Sequence, residues 1–118
     1  MARVVCTGID LQLMKTRKMI LERAGHVVMI AINEPELLAA CENHDIDVAV
    51  IGRALSRDVK KSIAANVRRF CPSVRILELY ATHQGRAIED ADSWLEVPVE
   101  VPQELAVRVD ELAKKKKH

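Results

Sequence analysis

Aromatic residues are almost missing from this chain of 118 residues, which has one Trp, one Tyr and one Phe. Surfaces that grip single-stranded nucleic acid stack bases on rings between cations, so that class of partner is not expected. Glycine is sparse too, four in all, with no glycine-rich phosphate loop and no Gly-x-Ser-x-Gly turn to carry a nucleophile. The three cysteines, Cys6, Cys41 and Cys71, are odd in number and widely spaced, which argues against a disulfide framework. No apolar run approaches the roughly 18 residues of a membrane helix, and no N-terminal stretch resembles a signal peptide. A reduced, cytoplasmic, soluble protein without membrane contact is the expectation.

Charge of one sign barely prevails. The net charge is +1, yet Lys114 to Lys117 supply four of the 18 basic residues, leaving 14 against 17 acids, or −3, for the body. A short terminal cationic run reads as a solvated end. The division expected is therefore a domain over 1–113 and a disordered basic tail over 114–118.

What is present is an alternation of apolar runs and helical periodicities. Arg3 to Thr7, His26 to Ala31, Asp47 to Ile51, Arg75 to Tyr80 and Ser93 to Val97 read as strands. Between them, Leu13, Ile20 and Ala24, flanked by Met14 and Leu21, mark a first helix that Gly25 ends. Asn33 caps a second helix with the stripe Leu37, Leu38 and Cys41, and Ser56 caps a third with Val59, Ile63, Val67 and Phe70. Pro102 opens a last helix with the stripe Leu105, Val109 and Leu112. Strands alternating with helices through short links predict a doubly wound α/β domain on a five-stranded parallel sheet. Ligands of such folds bind beyond the C-terminal strand ends.

In this order, the phrases Leu21 to Val28, Asp45 to Ile51, Cys71 to Val74 and Ala91 to Pro98 resemble the receiver domain of two-component response regulators, a flavodoxin-like, CheY-like fold. The resemblance covers almost the whole chain and implies a phosphoryl-accepting aspartate at the end of strand three, an acidic pair after strand one holding a divalent ion, a hydroxyl residue after strand four and a lysine after strand five. The positions matching these are Gly52, Gly8 with Ile9, Tyr80 and Val97. Nucleophile, cation cage and countercharge are all missing from them, and phosphoryl transfer depends on such positioning and charge. Asp10 survives beside the lost pair, but one carboxylate rarely holds Mg²⁺. No phosphoacceptor, no catalytic residue, no metal and no cofactor are therefore expected.

Other constellations are weaker. Cys41 and His44 have a metal-like spacing, but Cys41 lies on a buried stripe and no second ligand pair is near. His83 and Arg86 flank Gly85 where a small anion could be held, although a solvated loop is the simpler reading. Trp94 stands where the family often carries a mobile aromatic; without a phosphoryl group to discriminate two states, a fixed ring is expected. Only 16 residues separate Tyr80 from Val97, so the family's fourth helix should shrink to a turn and expose the Trp94 edge. The resulting expectation is a degenerate pseudo-receiver, not an enzyme, that docks a signalling protein or a second copy of itself through Trp94, Leu105 and Val109. Two alternatives stay open: a sensor of a small molecule or anion at the mouth formed by Gly8, Gly52 and His83, and a weak remnant enzyme.

Overall fold

In a computed structural model that describes residues 1–115, the chain forms β1 (Arg3–Thr7), α1 (Leu11–Arg23), β2 (Val27–Ala31), α2 (Glu34–Asn43), β3 (Val48–Ile51), α3 (Arg57–Phe70), β4 (Arg75–Tyr80), β5 (Ser93–Glu96) and α4 (Gln103–Lys115). All strand pairs are parallel in the order β2-β1-β3-β4-β5. This is the flavodoxin-like architecture expected. Alternate residues of each strand feed two cores: Val5, Ala49, Ile51 and Ile76 pack under α2 and α3, while Val4, Val50, Leu79 and Leu95 pack under α1 and α4. Central strands covered on both faces explain the unbroken apolar runs.

The helix boundaries follow from local chemistry. Asn33 Oδ1 accepts from Glu36 N at 2.9 Å and Ser56 Oγ from Val59 N at 3.2 Å, each satisfying an orphan donor of the first turn. Gly25 takes φ +94° just after α1, where a side chain would be strained. The helix α4 runs to Lys115, two residues past the boundary expected at 113; the rest of the basic tail, 116–118, lies outside the described residues.

Two helical stripes are rotated from the expected ones. On α1 the buried row is Met14, Arg17 and Leu21, with Leu13 and Ala24 exposed. On α3 it is Lys60, Ile63, Ala64 and Val67, with Val59 and Phe70 outside. In each case a cation occupies a core position and conceals the true row, so counting apolar residues alone selects a neighbouring face.

Between β4 and β5 there is no helix, in keeping with the short spacing. The chain turns at Ala81 to Gly85 and then buries Ala87, with Ile88 and Ala91 packed into the α2/α3 core. Glu78 of β4, fully buried, accepts from Ala87 N and Ile88 N at 2.8 Å each and from Lys60 Nζ at 3.0 Å. Lys60 also donates to Leu79 O at 2.9 Å. At the far end Asp92 accepts from Ile76 N at 2.7 Å and Arg68 Nη2 at 3.0 Å. Side-chain acceptors thus satisfy backbone donors that the missing helix would have satisfied internally.

Candidate functional site

Where β1 and β3 end, their tails converge. Gly52 N donates to Thr7 O at 2.8 Å, and the two glycines meet so closely that a Cβ on Gly52 would lie 3.0 Å from Thr7 O, 3.2 Å from Gly8 Cα and 3.4 Å from Arg17 Nη1. Two of those neighbours are backbone and cannot swing away. Gly52 is therefore both without a carboxylate and in a place where adding one would push the strands apart. Gly8 has ordinary clearance, its added Cβ meeting nothing nearer than 3.7 Å.

Ile9 is exposed, and Asp10 is the N-cap of α1, its Oδ1 accepting from Leu13 N at 3.1 Å. Gly8, Ile9, Asp10 and Gly52 do line one small hollow, but the other charged groups in it are the guanidiniums of Arg17 and Arg53. A divalent ion needs several oxygen ligands. Here it would find one carboxylate already capping a helix and two cations repelling it, so the residues present do not fit the divalent ion that the resemblance implies. Among the described residues no three His, Cys, Asp or Glu side chains gather into a metal-binding group.

Arg17 is the residue that reading the sequence for chemistry missed. It is buried at a position that should be apolar, three residues after Met14 and four before Leu21. Burial lowers its pKa, and the charge of Arg53 pushes the same way. Beneath it the Cys6 thiol is driven up to about 12 by burial, with Arg17 pulling weakly downward, so Cys6 stays protonated and is no nucleophile. Arg53 follows directly on the strand-ending Gly52, a position that marks the mouth of any such sheet.

The other expected positions are dispersed. Val97 lies in a neighbouring apolar cleft with Arg17 and Arg53, while Tyr80 lies under Arg86, whose guanidinium sits 5.6 Å from its ring centroid. Arg86 also lies 4.5 Å over Trp94, and Trp94 Nε1 donates to Ile88 O at 2.9 Å. Trp94 is thus half-buried and covered by a cation, not laid bare by loss of the helix. Leu105 and Val109 require a plain correction: they are 5% and 0% exposed in the α1/α4 core, so neither forms an interaction surface. A helix on the outside of a sheet must spend its apolar stripe on that sheet. The outward residues of α4 are Val107, at 55% exposure, and the row Glu104, Arg108 and Glu111, where Arg108 donates to Ser93 Oγ and Trp94 O.

His83 is exposed on the 81–85 turn, and with Arg86 stacked on the rings the pair forms no anion site. Cys41 is buried with its thiol against Cys71 and its pKa raised to about 12 by desolvation, while His44 lies exposed at the α2 C-cap. That geometry leaves Cys41 a core residue.

No protein family's sequence profile matches the chain, and no curated protein matches it. Solved structures do. A CheY-like response regulator receiver domain protein from Methanospirillum hungatei superposes with a TM-score of 0.82 at 22% identity, over 99% of this chain and 97% of that one. The receiver domain of response regulator 1452 from Francisella gives 0.81 at 22% identity, over 99% and 100%. The signal receiver domain of an HD domain-containing protein from Pseudomonas fluorescens gives 0.84 at 12% identity, over 98% and 88%. The chain has the fold of CheY-like receiver domains.

Proposed function

We propose that this chain is a phosphorylation-independent receiver-like domain, a non-enzymatic protein-interaction module in phosphorelay-type signalling in the cytoplasm. One observation carries the reading: at the end of β3, Gly52 is wedged against Thr7 O and Gly8, with the Arg17 guanidinium where a cation-held phosphoryl group would need carboxylates. Such a scaffold signals by what it touches. The surface best suited to contact is the β5 edge, with Trp94 under Arg86, together with the outward residues of α4 around Val107. Aromatic and Arg side chains are the types most often central to interfaces. A protein of the same pathway or a second copy of the chain is the partner this surface suits, with no nucleic acid and no membrane involved.

The test combines chemistry and capture. Incubation with acetyl phosphate and Mg²⁺ should leave the intact mass unchanged, and the retention of a sensor kinase or response regulator from native lysate should be indifferent to that treatment. Trp94→Ala, shown folded by circular dichroism, should lose the retained protein. A phosphoryl adduct on any aspartate, or equal retention by Trp94→Ala, would overturn the reading.

A further inference from the structure

The cleft that borders the degenerate strand-end site has a chemistry of its own. It measures about 390 Å³, within the usual size of a small-molecule pocket, and lies between α1, the end of β5 and the head of α4. Leu79, Leu95, Val97, Pro98, Val99 and Leu105 make its walls apolar. A further hollow of about 470 Å³ extends the groove along Met19 of α1 and Ala106 of α4.

At one end stand two guanidiniums, those of Arg17 and Arg53, which belong both to this cleft and to the small hollow at Gly8 and Gly52. Arg17 is only 8% exposed, yet among the described residues its guanidinium has no hydrogen-bond acceptor and no carboxylate at ion-pair distance. The stem is packed away while the guanidinium nitrogens keep contact with the cleft, so the charge is presented to whatever fills it. The charges acting on it are mixed: Arg53 opposes its ionisation, while the Cys6 sulfur and the Asp10 carboxylate, beyond ion-pair distance, favour it. Arg53 likewise has no ion-pair partner among the described residues.

We infer that this cleft binds an amphipathic oxyanion, a carboxylate or phosphate group on an apolar body, with Arg17 and Arg53 forking the charged end and the β5–α4 wall covering the tail. An oxyanion between them would offset the repulsion of Arg17 and Arg53, and planar guanidiniums match such oxygens in a bidentate manner. The apolar walls supply the remainder through burial. The inference stands apart from the docking function: it needs neither Trp94 nor a partner protein.

The experiment is titration of the full chain with decanoate, decanol and acetate, by calorimetry and by amide NMR shifts. Decanoate should bind saturably and shift the amides of Leu79, Leu95, Val97 and Leu105. Decanol, with the tail and no charge, and acetate, with the charge and no tail, should each bind at least about tenfold more weakly, as loss of a charged hydrogen bond or of the buried tail demands. Arg17→Met, which keeps the stem, should cost decanoate about tenfold or more and leave decanol unchanged. Arg53→Met, at the half-exposed lip, should act in the same direction and serves if the Arg17 variant does not fold. Equal binding of decanoate and decanol, decanoate affinity indifferent to both substitutions, or no saturable decanoate binding would each overturn the proposal.

Discussion

Two helices of this domain each send a cation inward, and the cations meet opposite surroundings. On the α2/α3 side Lys60 enters a finished network: Glu78 faces it at 3.0 Å, Leu79 O accepts at 2.9 Å, and the same carboxylate holds the Ala87 and Ile88 amides. On the α1/α4 side Arg17 has no hydrogen-bond acceptor among the described residues, and it shares its cleft with a second cation, Arg53. One cation therefore holds structure together while the other is held by structure. A satisfied buried charge acts as a staple in place of a helix; an unsatisfied one, at the strand ends where such folds bind ligands, is a receptor in waiting.

Removing the first cation should show the larger effect. Lys60→Met leaves the buried Glu78 carboxyl without its partner, and stability in urea should fall by about 3–5 kcal/mol. Hydrogen exchange should then quicken first at Ala87 and Ile88. If exchange rises uniformly instead, the network is not what secures the 81–92 segment.

A substitution at the shared mouth should cost less. In Gly52→Ala the new Cβ meets Thr7 O at 3.0 Å and Gly8 Cα at 3.2 Å, so a loss of about 1–3 kcal/mol is expected from overpacking. Gly52→Asp should suffer at least as much and gain no acetyl phosphate labelling, because Arg17 and Arg53, not an acidic pair, surround it.

Removing the second cation should reverse the sign. Arg17→Met takes an unpaired charge out of a buried row and should raise stability by about 1 kcal/mol. A loss as large as that of Lys60→Met would mean that Arg17 has a partner within the fold after all and would erase the contrast.

The smallest effect is alkaline. The Cys6 and Cys41 thiols have folded pKa values of about 12 against 9.0 as the ordinary value. The folded state thus keeps protons that the unfolded chain releases, so the stability these thiols contribute is complete below about pH 9 and is lost progressively as pH rises toward 12. At pH 9.5 the loss should be under about 1 kcal/mol per thiol. Cys6→Ala should make the decline shallower, and Arg17→Met should not abolish it, since burial and not the arginine is the main cause.

Much of the architecture was legible because it is local. The caps at Asn33 and Ser56, the stop at Gly25, the proline ahead of α4 and the apolar runs of the five strands each depend on a few adjoining residues. The shortened link before β5 followed from counting residues. The vacancy at Gly52 is equally a property of sequence, since no fold can lend glycine a carboxylate. The errors cluster where a residue's role depends on something distant: the rotated stripes of α1 and α3, and the placement of Leu105 and Val109 on a surface when they are core.

By itself, then, the sequence determined the order and kind of the elements and the glycine at position 52, because backbone propensity, capping and side-chain identity act within a few residues of one another. Tertiary structure alone decided that Lys60 finds Glu78 18 residues along the chain, while Arg17 and Arg53 share a cleft without an acceptor. Whether a buried charge is paired depends on what the rest of the fold brings to it, and no periodicity encodes that.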